Sequence, residues 1–159
     1  GIISPLFVVR GATEDAMHTK QVSVFLENKR GRLAEVTRLL ADEGVNIRAL
    51  SLADAGDFGV LRLIVNDRSR CLSILKAHDF AAQETEVLAV EMEDRPGSLY
   101  PIVEALDSGG VNIEYMYTFF EKKGGNAIAV FKSDDPSRAV EALRKIGIHI
   151  LSEDMIQNL

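Results

Sequence analysis

The sequence contains one pattern twice, and this repeat constrains the fold more than any single motif does. Residues 24–47 read VFLENKRGRLAEVTRLLADEGVNI, and residues 90–113, 66 positions later, read VEMEDRPGSLYPIVEALDSGGVNI. Both segments end in the quartet Gly-Val-Asn-Ile. After a two-residue insertion, residues 66–70 match residues 134–138. A repeat of this length predicts two copies of one small domain.

Length and composition indicate two soluble domains. In the 159-residue chain we expect residues 1–16 to be a vector-derived leader, residues 17–84 to form the first domain and residues 85–159 the second. The chain is 47% hydrophobic and 26% charged, which is ordinary for a soluble protein. No apolar run approaches the roughly 20 residues of a membrane helix. We therefore expect no membrane partner.

Charge and cysteine content argue against several classes of protein. Residues 17–84 carry ten basic and nine acidic side chains, whereas residues 85–159 carry seven basic and thirteen acidic ones, so the two domains have charges of +1 and −6. Because nucleic-acid binding needs clustered positive charge, we expect no nucleic-acid partner. Cys71 is the only cysteine, which excludes an intrachain disulfide and favours a reducing cytoplasm.

Hydrophobic periodicity predicts the same elements in each copy. Val22, Val24 and Leu26 alternate as in a strand with one core face, and a glycine loop and a helix ending at Gly44 or Gly110 follow. A second strand, a hairpin, a third strand, a second helix and a fourth strand complete each copy. The predicted hairpin turns are 54–57 and 122–126, and the predicted fourth strands are 80–84 and 149–152. The βαββαβ order predicts an α+β fold of two ferredoxin-like sandwiches.

The loop between the first strand and the first helix is the candidate binding site. Its N–H groups and the positive end of the helix dipole can hold a carboxylate or a phosphate. Lys29, Arg30 and Arg32 add positive charge in the first copy. Asn46, in the quartet, offers a donor and an acceptor to the other end of a small ligand. The alternative is that Gly31 serves only the turn and Asn46 only a local backbone bond.

Signals for catalysis and for metal binding are weak. His18, His78 and His149 occupy unrelated positions of the two copies and lack the spacing of metal ligands. No phosphate-binding glycine motif and no nucleophile-elbow motif occurs. We expect no cofactor, no metal and no catalytic activity.

The motifs LENKRGRL…GVNI and MEDRPGSL…GVNI, each within a βαββαβ pattern, resemble the ACT domain, a small-molecule regulatory module of amino-acid metabolism. The resemblance covers residues 22–159 and extends to free-standing proteins made of two ACT domains. It implies a fold that binds an amino acid between paired domains. The glycine loop of one domain and the second strand of its neighbour would hold the ligand.

The resemblance also implies particular ligand contacts. In serine-responsive phosphoglycerate dehydrogenases two asparagines contact the ligand, and Asn28 and Asn46 stand at those positions here, as Asp94 and Asn112 do in the second copy. A histidine of those enzymes has no counterpart, so serine is not implied. The implied site residues are Asn28, Lys29, Arg30, Gly31, Arg32, Leu33, Asn46 and Ile47 in the first copy, and Asp94, Arg95, Pro96, Gly97, Ser98, Leu99, Asn112 and Ile113 in the second.

We therefore expect a cytoplasmic, non-catalytic sensor that binds a free amino acid or a similar small carboxylate and regulates an enzyme or a transport partner. One alternative is a ligand-free scaffold or dimerisation protein. A second is an acylphosphatase-like enzyme, which shares the fold but needs an arginine-lined phosphate loop.

Two further expectations concern the difference between the copies. The apolar second strand over residues 115–120 would be prone to aggregation as a bare edge, so we expect second strands or first helices to be in contact and whole chains to form a homodimer. Because Asp94 replaces Asn28 in a half of charge −6, we expect the first loop to bind a carboxylate more tightly.

Overall fold

A computed structural model describes residues 18–121 and 124–159. These residues form two compact units. One unit is Lys20–Thr85, and the other is Glu86–Leu159 together with His18 and Thr19. In the described part of the chain, no helix is both long enough and apolar enough to cross a membrane.

The first unit is a βαββαβ sandwich. Its elements are β1 (Thr19–Glu27), α1 (Arg32–Asp42), β2 (Ile47–Ala55), β3 (Phe58–Val65), α2 (Arg68–Ala77) and the first part of β4 (Ala81–Glu93). The strand order is β2-β3-β1-β4, with β3 antiparallel to both β1 and β2. Within this unit β2 is therefore an edge strand.

The second unit repeats this arrangement and adds a short helix. The second part of β4 is followed by α3 (Leu99–Ser108), β5 (Ile113–Phe120), β6 (Asn126–Ser133), α4 (Pro136–Lys145), β7 (Ile150–Leu151) and α5 (Glu153–Gln157). The order is β7-β4-β6-β5, so β5 corresponds to β2 and is also an edge strand. The predicted ferredoxin-like fold is confirmed in both units.

Each unit has its own hydrophobic core between the sheet and its two long helices. In the first unit Val22 and Val24 of β1 are completely buried against Val36 and Leu40 of α1 and Leu75 of α2. Residues four apart share a helix face, which explains why the pair on α1 reaches the sheet. The second core is built from apolar residues at the corresponding positions, namely Leu88, Val90, Ile102, Leu106 and Leu143.

Three predicted boundaries differ from the structure. The strand predicted over 80–84 continues into the next one as the 13-residue β4, since residues 85–87 contain no glycine or proline to interrupt it. The first hairpin turn is only Gly56 and Asp57, because β2 extends to Ala55. The predicted turn over 122–126 falls partly outside the described residues. The fourth strand of the second unit is only Ile150–Leu151, because α5 begins immediately after it.

Candidate ligand site at the glycine loops

A tight turn joins the first strand of each unit to its first helix. Gly31 and Gly97 have φ values of 94° and 84° there, a left-handed conformation that other residues rarely adopt. Space is not the reason for glycine, since a Cβ atom at either position would meet nothing within 4 Å. The first turns of α1 and α3 present N–H groups without intrahelical acceptors, as an anion seat requires.

In the first unit this turn borders a cavity of about 240 Å³, which is small beside the 300–1,000 Å³ typical of drug-sized ligands. The loop and the start of α1 form one wall, and the hairpin between β2 and β3 forms the other. The lining residues are Leu26, Glu27, Asn28, Lys29, Arg32, Leu33, Leu52, Ala53, Asp54 and Gly59. Four of the eight predicted residues of this copy therefore line one space.

Asn28 fastens the loop to the hairpin across this cavity. Its Nδ2 donates to the carbonyl oxygen of Gly56 at 2.9 Å, and its backbone N–H donates to the carbonyl oxygen of Asp57 at 2.8 Å. Asp54 Oδ1 accepts from the Gly56 N–H at 2.9 Å. The two walls are thus held at a fixed separation by polar contacts at their tips.

The positive charge expected at the first loop is largely compensated. Glu27 pairs with Lys29 at 2.9 Å and with Arg32 at 3.2 Å, and Arg32 also pairs with Glu35 at 2.9 Å. The hydrogen bond and the charge of Lys29 lower the pKa of Glu27. Only Arg30, of the three basic residues predicted here, forms no ion pair with another described residue.

Arg32 is held in place on a further side. Its guanidinium lies over the Phe80 ring, 5.3 Å from the centroid, which is within cation–π range. Its Nε is shielded from solvent and has no hydrogen-bond partner among the described residues. Arg32 thus fills the space between α1 and Phe80 and is a fixed structural group more than an open cation.

The cavity beside the glycine loop of the second unit opens on the other side of that loop. It measures about 290 Å³ and is lined by Glu91, Met92, Glu93, Arg95, Pro96, Gly97, Ser98, Pro101 and Ile148. When the two copies are aligned, Ser98 corresponds to Arg32 and Ile148 corresponds to Phe80. The smaller pair leaves that space open, and Ser98 Oγ is buried there without a described partner.

The hairpin side of the second loop has different chemistry. Phe120 occupies the position of Asp54 and is 67% exposed, so no carboxylate stands there. Asp94 replaces Asn28, and Arg95 forms an ion pair with Glu93. Of the eight residues predicted in this copy, Arg95, Pro96, Gly97 and Ser98 line the cavity.

The quartet lies away from the loop of its own unit. The backbone N–H of Asn46 donates to Asn66 Oδ1 at 2.8 Å, and that of Asn112 donates to Asp134 Oδ1 at 2.9 Å. Both asparagines precede the second strand, whereas the loop is near its end, about 26 Å away over eight residues at roughly 3.3 Å each. Within one unit the structure does not bring loop and quartet together. Ile47 and Ile113 pack against the cores.

Sequence reasoning missed the hairpin wall of the first cavity. The predicted turn over residues 54–57 includes Asp54. In the structure Leu26 and Asp54 both pair with Gly59, which places them on one face of the sheet. The signal was present in β2, where Leu50, Leu52 and Asp54 alternate and the apolar stripe ends in a carboxylate.

The single cysteine lies away from both cavities. Cys71 is completely buried in the first core, and burial raises the pKa of its thiol to about 11. Within residues 18–121 and 124–159, no cluster of His, Cys, Asp or Glu has the arrangement of a metal site.

Comparison with known proteins identifies the family. The family model described as an ACT domain pair matches residues 17–159. A crystal structure of protein BT0572 from Bacteroides thetaiotaomicron is 38% identical, with a TM-score of 0.84 over 91% of this chain and 99% of that one. None of the curated proteins matches.

Regulatory subunits of aspartate kinase share the fold at lower identity. The ligand-free subunit from Thermus thermophilus is 15% identical with a TM-score of 0.56, over 80% of this chain and 92% of that one. The subunit from Thermus flavus is 16% identical with a TM-score of 0.55, over 80% and 91%. The family match, the repeat and the two βαββαβ units lead to one conclusion: the chain belongs to the family of ACT domain pairs.

Proposed function

We propose that this ACT domain pair is a non-catalytic sensor that binds a free amino acid or a similar small carboxylate and regulates a partner, either an enzyme or a transporter. The proposal takes residues 17–84 and 85–159 as the two domains and the cytoplasm as the location. The observation that carries it is the first cavity, where Asp54 and the loop residues Asn28 and Lys29 border an apolar space.

The chemistry of this cavity complements the two charges of an α-amino acid. Asp54 forms no ion pair with another described residue, and only its Oδ1 accepts from the hairpin, so a ligand ammonium can bind its carboxylate. The N-terminus of α1 favours the ligand carboxylate at the loop, and so does Arg30, which forms no ion pair with another described residue.

A second copy of the chain would complete the site. If two β2 edges pair antiparallel about a two-fold axis, the Asn46 end of one strand lies beside the Asp54 end of the other. Asn46 and Ile47 of one chain would then approach the glycine loop of its partner. The half-exposed Leu50 and Leu52 on this edge support a homodimer, because bare apolar edges promote association.

Ligand binding would regulate the partner by favouring one arrangement of the paired domains over another. A ligand shifts such an equilibrium only by its difference in affinity for the two arrangements. A ligand that bridges the loop of one domain and the second strand of its neighbour satisfies this condition. It contacts both domains in one arrangement and only one domain in the other.

A thermal-shift screen against the twenty amino acids tests the proposal. A ligand at 100 times its dissociation constant stabilises the folded state by about 2.7 kcal/mol, which gives a measurable rise in melting temperature. If no amino acid or related carboxylate raises the melting temperature at millimolar concentration, the sensor function is wrong.

A ligand-free scaffold is the second candidate, and the second unit favours it. Tyr100 and Phe120 are each 67% exposed and Leu99 is 38% exposed, near the start of α3 and the end of β5. Exposed apolar residues mark an interaction surface where they form one contiguous patch. A stable dimer that responds to no amino acid in the same screen would support the scaffold.

A further inference from the structure

We infer that the first cavity selects amino acids whose side chain is uncharged and apolar. This inference rests on the proposed function and concerns the same site. The walls of the cavity, its charge balance and its hydrogen-bonding groups define this class of ligand.

The walls that a ligand side chain would meet are leucines. Leu26 is 3% exposed and forms the floor, whereas Leu33 and Leu52 are 37% and 49% exposed. Gly59 contributes to this surface, since a Cβ there would lie 3.3 Å from Leu52 Cδ1. An apolar ligand side chain would remove the exposed part of these leucines from water, which is favourable in proportion to the area covered.

The charges of the lining leave no partner for a charged side chain. Glu27 and Asp54 balance Lys29 and Arg32, so the four ionisable residues of the lining sum to zero. Both cations already pair with Glu27. A side-chain carboxylate would have to displace Glu27, and a side-chain ammonium would compete with the α-ammonium for Asp54.

The side-chain donors of Asn28 and the Nε of Arg32 are not available to a ligand side chain. Asn28 Nδ2 donates to the hairpin, and the unpartnered Nε of Arg32 is shielded from solvent and therefore out of reach of a ligand. With the Asp54 carboxylate bound to the ligand ammonium, a ligand hydroxyl placed against the leucines would lose water without gaining a protein partner, which is costly. Valine should therefore bind more tightly than threonine, which has the same shape.

Calorimetric titration of the full chain with matched ligands tests this selection. We expect valine to bind at least about tenfold more tightly than threonine. We also expect affinity to rise by up to about fourfold for each methylene in the series alanine, 2-aminobutyrate and norvaline. If threonine or serine binds as tightly as valine, the inference is wrong while the proposed function stands. If no amino acid binds, both are wrong.

Two variants test whether the leucine wall of the cavity determines the preference for valine over threonine. Leu52→Asn should weaken valine binding about tenfold and reduce the preference for valine over threonine to near one. Leu50→Asn is the control, because Leu50 lies on the same strand and face and is equally exposed but does not line the cavity. Equal losses in the two variants, measured at matched assembly state, would overturn the inference. The ligand series on the unmodified chain stays decisive if either variant fails to fold.

Discussion

The two glycine loops have the same backbone turn but border cavities on opposite sides. In the first unit Arg32 and Phe80 fill the space beside the fourth strand, and the cavity faces the β2–β3 hairpin. In the second, Ser98 and Ile148 leave that space open, and the cavity lies there. A duplicated fold has thus kept its turn and changed its site through two pairs of side chains.

The hairpin side separates the loops further. Asp54 offers a carboxylate to a ligand ammonium in the first unit, whereas Phe120 holds that position in the second. Asn28 bonds the first hairpin, whereas Asp94 brings a negative charge to the second loop. These differences are the reason that we propose the amino-acid site in the first unit.

Removal of the Asp54 charge should have the largest effect. A hydrogen bond to a charged group contributes about 1.5–3 kcal/mol, so we expect Asp54→Asn to weaken amino-acid binding about ten- to a hundredfold. The amide keeps an oxygen that can accept from Gly56, so the hairpin should persist. Asp57→Asn removes the same charge from the neighbouring turn, outside the cavity. Calorimetry should show that this variant binds the amino acid with unchanged affinity. Unchanged binding in Asp54→Asn would show that the ammonium binds elsewhere.

Truncation of Asn28 should weaken amino-acid binding less than loss of the Asp54 charge does. Truncation of Asp94, at the same position of the second loop, should have a different effect. We expect Asn28→Ala to weaken binding about tenfold, because it removes a hydrogen bond that holds the loop against the hairpin. Asp94→Ala should leave binding unchanged. A larger loss from Asp94→Ala in the same titrations would reverse the assignment of the site.

Arg32 should stabilise the first unit by filling the space that Ser98 leaves open in the second. Arg32→Ser gives the first loop the residue of the second, and we expect it to lower the free energy of unfolding by about 1 kcal/mol through loss of the Phe80 contact and of partly exposed ion pairs. Urea unfolding measures this, with Ser98→Ala as the near-neutral counterpart. Full stability in Arg32→Ser would mean that Arg32 does not fill the space as described.

The smallest expected effect is on the pH dependence of stability, and it concerns Glu84 and the residue at the same position of the second unit. Arg68 donates to Glu84 at 2.8 Å, and this bond, followed by the charges of Arg68 and Lys20, lowers the pKa of Glu84. A lowered pKa adds stability above the unfolded value near 4.5, and that stability is lost as the pH falls through the folded value. We expect Glu84→Gln to cost less than about 1 kcal/mol at pH 7 and a smaller amount at pH 3, because protonation of Glu84 weakens the ion pair.

The second unit provides the control for this pH effect. Ser152 stands where Glu84 does and accepts from the Met155 N–H at 3.2 Å, so it caps α5 and does not titrate. Ser152→Ala should lose stability equally at both pH values. A pH-independent loss in Glu84→Gln would contradict the ion-pair account.

Much of the fold was predictable because it rests on local patterns. The alternation of Val22 and Val24, the left-handed glycines and the helical spacing each have a period or a conformation that sequence alone reveals. Helix α5 was missed because five residues are too few for a period, although Ser152 and the acidic residues after it are an N-terminal signal.

The site was less predictable because it depends on contacts between distant residues. The loop residues could be named, but Glu27 neutralising its neighbours and Arg32 lying over Phe80 are tertiary arrangements. Asp54 reaches the loop only through the pairing of three strands. The assignment of the sixteen predicted residues to a ligand site stays a prediction.

The stoichiometry of binding tests the central claim most directly. The amino acid that raises the melting temperature most should be titrated calorimetrically into the full chain. One molecule should bind per chain, and Asp54→Asn should weaken that single event. Two equivalent molecules per chain would contradict the account, because the two loops would then be equal sites despite their different side chains.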